Sequence, residues 1–392
     1  MGSGQGCSYA GGMVTADLLQ RSIDKIARLS GEPRDLAGYW RECADVVGSV
    51  IPHYWTPCWY TLDPASLLAT SHFHEGMPEF PAEWLANEYY GDDVNQMAQV
   101  ARSRTGISTL HEATGGDPAR SRRWSFNQSM GSDQEMIARL QAPSGEVWGM
   151  LGLYREPGRP MFDATDKYFL SAVSEHLAEG ARRALLVGEA TDPVDPYPDA
   201  PGLIIVSERW ELQSATPGVD RWLAELPGGD AADGQLPPAV VAVAARARRN
   251  AEQPDHPSGL TVSRIRSRSG TWVVLHGACL IEGGSRRIAV IVEPAHPARL
   301  YPLLEAAYQL TPRERDVTRL VLQGASTSQI ADQLVVSPHT VQQHMKNIFD
   351  KTGVRSRRDL VGKVFFTHYE PGFRDNEHRV LAGQPMRGGP RG

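Results

Sequence analysis

Between Leu310 and Phe366 the chain carries four helix starts in series, and few folds accommodate that punctuation. Thr311 precedes Pro312 and stands three residues before Glu314. That is an N-cap, a proline at the first helical position and a capping-box glutamate. Ser326 precedes a second helix, Thr327–Leu334. Ser337 and Pro338 repeat the cap-plus-proline start for a third, which runs to about Lys351. Gly353 then supplies the left-handed residue that commonly ends a helix. Ser356 and Asp359 open a fourth helix towards Phe366.

A two-turn helix, a three-residue turn (Val335, Val336, Ser337) and a longer helix is the spacing of a helix-turn-helix DNA reader. On the third helix Val341, Met345, Ile348 and Thr352 recur at helical spacing and are predicted to face a core. His339, Gln342, Gln343, Lys346 and Asn347 then fall on the opposite face. Gln can pair with both adenine N6 and N7, and Lys can reach guanine O6 and N7. Ser337, Thr340, Ser326 and Thr327 lie at helix starts, where hydroxyls and backbone N–H groups suit phosphate oxygens. Arg355, Arg357 and Arg358 follow the third helix and could neutralise the DNA backbone.

The charge distribution agrees. The whole chain has net charge −6, yet Leu310–Phe366 holds nine Lys/Arg against five Asp/Glu. A module of +4 on a body of −10 fits a reader attached to something that does not bind DNA. Amphipathic helices alone would equally suit a four-helix protein-interaction module. The segment LTPRERDVTRLVLQG, STSQIADQL and SPHTVQQHMKNIFDKTGVRSRRDLV closely resembles the LuxR-type helix-turn-helix of the NarL/FixJ-like class. The resemblance implies that the third helix enters the major groove, that Gln342, Gln343 and Lys346 read bases, and that the fourth helix dimerises. Many members carry Lys where Gln342 stands, which leans the preference towards A·T. Thr352 replaces a usual Leu, so the end of the third helix is expected to pack less well.

The rest of the chain reads as two sensor-like regions. Amphipathic helices are predicted over Val14–Leu29 and Arg34–Val50, and strands over Cys58–Leu62 and Leu67–Phe73. Helices follow at Pro81–Tyr90 and Asn95–Ser103, a polar surface loop at Gly115–Arg123, a hairpin at Glu135–Gln141 and Val147–Arg155, and a long helix at Phe162–Val187. Trp148–Leu185 resembles the end of a GAF domain, and the resemblance extends over roughly residues 35–187. A stretch with four prolines and four acidic residues then reads as a stiff linker. Beyond it, strands at Leu203–Val206 and Trp210–Ser214, helices at Asp220–Leu226 and Pro238–Arg249, and strands at Leu260–Arg268, Thr271–Ile281 and Arg287–Glu293 resemble a small, divergent PAS domain. Glu208-Arg209 stands where that family's turn usually has Asp-Gly.

The expected fold class is α+β multidomain: GAF-like and PAS-like antiparallel-sheet domains followed by an all-α four-helix helix-turn-helix domain. The boundaries are a disordered tail at 1–13, a GAF-like domain at 14–187, a linker at 188–201, a PAS-like domain at 202–295, the reader at 301–366 and a second tail at 367–392. No phosphate-binding, zinc-protease or serine-hydrolase motif is present, so the chain is not expected to be an enzyme, and no cofactor or metal is expected. Four scattered cysteines, with no apolar run of membrane length, point to a reduced cytoplasmic setting. His72 and His74 in HFHEG share a strand face without an evident third ligand and are predicted to be surface residues at a strand edge. Trp55, Trp59 and Trp84 could pack a core or line a ligand pocket. The expected function is a DNA-binding transcriptional regulator, a homodimer on double-stranded DNA, responding to an unidentified small-molecule ligand. The alternative is a sensor or scaffold acting by protein contact.

Overall fold

The computed structural model describes residues 15–76, 81–187, 201–229, 235–253, 259–270, 272–282, 285–295, 308, 310–322 and 324–360. The expected tails, and the linker up to residue 200, lie outside them. The chain divides into two compact units, the first within residues 1–188 and the second from Glu189 onward together with the short turns Asp63–Ser66 and Pro143–Glu146.

In the first unit, α1 (Ala16–Gly31) begins at Thr15, whose side chain accepts the Leu18 N–H. The second helix, α2 (Leu36–Val50), begins at Asp35, which accepts from Gly38. Five strands follow: β1 (Tyr54–Leu62), β2 (Ala69–Phe73), β3 (Ile107–Thr109), β4 (Gln134–Gln141) and β5 (Val147–Arg155). They form one antiparallel sheet in the order β2-β1-β5-β4-β3. Between β2 and β4 lie α3 (Ala82–Asn87), α4 (Met97–Arg102), α5 (Leu110–Ala113) and α6 (Arg122–Ser129). The polar, glycine-containing stretch Gly115–Arg123 is mostly exposed, as expected of a surface loop, but its last residues enter a helix and turn inward. A 3-10 turn at Pro118–Arg120 leads into α6, and Arg123 is only 6% exposed. Its charge is met by buried carboxylates, which composition cannot reveal.

The long α7 (Ala164–Val187) packs with α1 and α2. Gly180 makes the fit possible, since a Cβ there would sit 2.1 Å from Tyr39 Cζ. Tyr39 OH then donates to the His176 carbonyl at 3.1 Å. Arg155, at the end of β5, fixes the entry to α7 by donating to Asp166 Oδ2 at 3.0 Å and to the Pro52 and Pro160 carbonyls. Trp40 stacks on Trp59 at 4.4 Å, so that pair is core packing.

The second unit contains β6 (Gly202–Val206), β7 (Leu212–Ala215), β8 (Val262–Arg266), β9 (Trp272–Glu282) and β10 (Ser285–Pro294). Their antiparallel order is β7-β6-β10-β9-β8. Alongside are α8 (Val219–Glu225) and α9 (Pro238–Glu252). In α9 every residue from Ala239 to Ala245 is at most 1% exposed. Its small side chains let it close on β9, where Gly277 leaves room: a Cβ there would lie 2.8 Å from Val243. The C-terminal helices α10 (Pro312–Leu322), α11 (Thr327–Leu334) and α12 (Pro338–Thr352) complete the unit. The protein is therefore α+β and multidomain, with two antiparallel sheets and a helical C-terminal region. No described helix is long and apolar enough to cross a membrane.

Candidate nucleic-acid interface

The caps predicted at the C-terminus are formed. Thr311 Oγ1 accepts the Glu314 N–H, and Glu314 accepts the Thr311 N–H at 2.8 Å. Ser326 and Gln329 make a reciprocal capping box. Ser337 Oγ accepts the Thr340 N–H at 3.0 Å, and Gly353 closes α12 with φ of 66°. Each cap satisfies backbone groups that would otherwise lack partners. Leu310, Val317, Leu320, Val321, Ile330, Ala331, Val341, Ile348 and Leu360 form the core beneath them. Trp272 of β9 and Ala295 pack against this core.

Glu314 is 3% exposed and accepts from Lys351 Nζ at 2.7 Å, tying α10 to α12. Burial alone would raise its carboxyl. The Lys351 ammonium and the Thr311 N–H outweigh burial and hold it below the usual carboxylate range. Thr352, expected to loosen the helix end, is 3% exposed and donates its hydroxyl to the Ile348 carbonyl at 2.7 Å. The smaller residue is thus accommodated with its hydroxyl satisfied.

The face opposite the core carries the predicted readers. His339, Gln342, Gln343 and Lys346 are exposed, and Asn347 is half-buried. Gln343 Nε2 donates to Asn347 Oδ1 at 3.3 Å, one turn along α12. Met345, predicted for the core, is half-buried and packs against it. Ser337 Oγ and Thr340 Oγ1 lie 2.8 Å apart at the start of α12. Ser326 is exposed and Thr327 half-buried at the start of α11. Arg355 and Arg358 are exposed, whereas Arg357 is half-buried and donates to the Ala325 carbonyl, which closes the turn before α11. A helical turn starts at Arg357 with the Asp359 N–H on Ser356 Oγ. The rest of the expected fourth helix lies outside the described residues.

The turn holds one oddity. Val335 takes the left-handed conformation (φ 55°, ψ 51°) and is 90% exposed. A β-branched residue pays a steric penalty there. Nothing in the sequence pattern marked it.

In the first unit the HFHEG histidines lie at β2, the edge strand of the sheet, as expected, but they are half-buried rather than exposed. His72 stacks on Tyr60 at 4.4 Å, and its Nε2 lies 3.4 Å from Cys58 Sγ. Burial, with His74 beside it, brings the His72 imidazole down to about 3. Burial likewise pushes the Cys58 thiol well up, and the Cys43 thiol up to about 12, so neither is poised as a thiolate. The sequence also gave no sign of a buried polar group around Arg123, Glu88 and Glu135. Its members come from three separate elements, so no local motif could announce it.

Residues 308–364 match the family described as bacterial regulatory proteins, luxR family. An HTH-type transcriptional regulator of Mycobacterium bovis is 54% identical over 55 residues, 14% of this chain. The chain thus spans only 6% of the length of that relative. The monoamine regulon transcriptional regulator of Klebsiella aerogenes is 45% identical over 56 residues, which are 14% of this chain and 25% of its own. Among solved structures, the phycoerythrobilin-bound GAF domain of a cyanobacterial phytochrome covers 44% of this chain and 99% of its own at 14% identity. Its TM-score is 0.34, and a likeness of that size carries no argument. The spore germination protein GerE of Bacillus subtilis is 42% identical over 52 residues, 13% of this chain and 70% of its own length. Through its C-terminal helices, the chain belongs to the luxR family of bacterial regulatory proteins.

Proposed function

We propose that this protein is a sequence-specific DNA-binding transcriptional regulator that couples a signal received upstream to its C-terminal reader. The observation that carries this reading is the exposed Gln342, Gln343 and Lys346 face of α12, set opposite a complete core on a helix capped at both ends. Gln342 and Gln343 address base edges. Ser326, Thr327, Ser337, Thr340, Arg355 and Arg358 address phosphates, with Arg357 helping to shape the turn. His339 and Asn347 flank the base-reading face. Two copies joined through the fourth helix would place two readers on half-sites about one helical turn apart.

The packing of Trp272 and Ala295 against the reader core supports residues 202–295 as a PAS-like relay. A change in that sheet would reach the helices by direct contact and shift an existing equilibrium of reader arrangements.

Selection from a random duplex pool tests the reading. The wild type should enrich one half-site, and Gln342→Ala with Gln343→Ala should relax that preference by roughly 1–3 kcal/mol per lost pair. Arg355→Ala with Arg358→Ala should weaken binding to every duplex and reduce the salt slope by about 2. A pool that yields no enriched sequence would instead favour a regulator that works by protein contact.

A further inference from the structure

We propose that Val335, in the turn between α11 and α12, is a further DNA contact, its side chain packing on the deoxyribose edge of the backbone beside the phosphate addressed by Ser337. The inference rests on the reading of α12 as a DNA reader. It adds to that reading an uncharged contact that bears on affinity and not on sequence.

Two properties of Val335 have no cause within the fold. Its backbone lies in the left-handed region, with φ 55° and ψ 51°, and its side chain is 90% exposed. The turn requires the backbone conformation. The Val335 and Val336 N–H groups donate to the Asp332 and Ala331 carbonyls at 3.4 and 3.0 Å, which closes α11. The turn does not require valine. Glycine or asparagine fills such a position at little cost, and Gly353 does so at the end of α12 with φ 66°. A branched Cβ crowds the left-handed backbone. The next residue, Val336, packs against the reader core, whereas Val335 stands in solvent. Strain of this kind collects at sites that meet a ligand.

Position selects what Val335 meets. A recognition helix meets base edges with its N-terminal residues, so the turn before it lies at the DNA surface. Val335 precedes Ser337, the cap of α12, by two residues. Ser337 Oγ and Thr340 Oγ1, the hydroxyls assigned to phosphate, lie 2.8 Å apart at that end. Two residues of chain span at most about 7 Å, so Val335 stays beside that phosphate. Gln342 and Gln343 stand about 6–7 Å farther along the helix axis from Pro338, where base edges are read. Next to a phosphate the apolar surface is the C–H edge of the sugar. A sugar contact sets position and carries no sequence information. An apolar side chain also releases no counterion, so the salt dependence is left alone.

Val335→Gly and Val335→Leu in the full chain test the contact. Affinity is measured on the duplex that the wild type selects from a random pool and on a scrambled duplex of the same length. Val335→Gly should weaken binding to both about fivefold, with the salt slope and the preference between them unchanged. Val335→Leu, which keeps an apolar side chain, should stay within twofold of the wild type. Peptide-resolved hydrogen exchange should find α11 and α12 at least as protected in Val335→Gly as in the wild type, because glycine accepts a positive φ. Wild-type affinity in Val335→Gly, an altered salt slope, a loss confined to the selected duplex, or lower protection of the two helices would each overturn the contact. A wild type that enriches a half-site which Val335→Gly binds equally well would remove this contact and leave the proposed function standing. A wild type that binds no duplex would defeat both.

Discussion

The two five-stranded sheets share a strand order and differ in what closes them. In the first unit the cover includes α3 and α6, and it brings Glu88, Arg123 and Asn127 against Glu135 of β4. In the second, α9 closes on β9 with an unbroken run of alanines and valines from Ala239 to Ala245. Its arginines at 246, 248 and 249 come only in the second half of the helix. One topology thus supports charge buried against the sheet in the first unit and an apolar contact of α9 with β9 in the second, where Arg246 and Arg249 are also buried farther along the helix. A buried charged network is costly unless every member is satisfied. A close-packed apolar layer such as that between α9 and β9 transmits a shift by contact.

The largest expected effect tests the polar interior. Glu135→Ala removes one of two carboxylates facing Arg123 and leaves Asn127 and Asn95 without their acceptor. The first sheet should lose about 3–5 kcal/mol. Peptide-resolved hydrogen exchange on the full chain would register it, and unchanged protection of β4 would erase the contrast between the sheets. The apolar interior is tested by Gly277→Ala, whose new Cβ would lie 2.8 Å from both Val243 Cγ1 and the Val243 carbonyl oxygen. Overpacking of this kind costs about 1–3 kcal/mol, and the loss of protection should centre on β9.

The smallest effect concerns acidity. His72 stays neutral in the fold down to about pH 3, while in the unfolded chain it takes a proton near pH 6.5. Stability from this group is complete above pH 6.5 and is lost as pH falls towards 3. At pH 5.5 the loss should be about 1 kcal/mol, confined to the first sheet. His72→Phe, which retains a ring against Tyr60, should flatten that slope. An unaltered pH dependence of β1 and β2 protection in His72→Phe would show that other groups set it.

Legibility followed the range of the interactions. The three described helices of the C-terminal region were visible, because caps, proline starts and the spacing of Val341 and Ile348 are local features. The strand pair of β4 and β5 was visible for the same reason, its tight turn lying between two apolar runs. The three-residue β3 was not, since it has no period of its own and exists only by pairing with β4. His72 does lie on an edge strand, but its half-burial against Tyr60 was not legible, because alternation says which side a side chain takes, not what covers that side.

The sequence by itself determined the capped helices, the basic module on an acidic body, and the exposure of His339, Gln342, Gln343 and Lys346 on α12. Helix periodicity and capping act over three or four residues, so they are written where they operate. Only the tertiary structure decided that a polar stretch expected as a loop would bury Arg123 between Glu88 and Glu135. These residues are 12 and 35 positions from Arg123 along the chain, and long-range pairing of buried charge leaves no periodic trace.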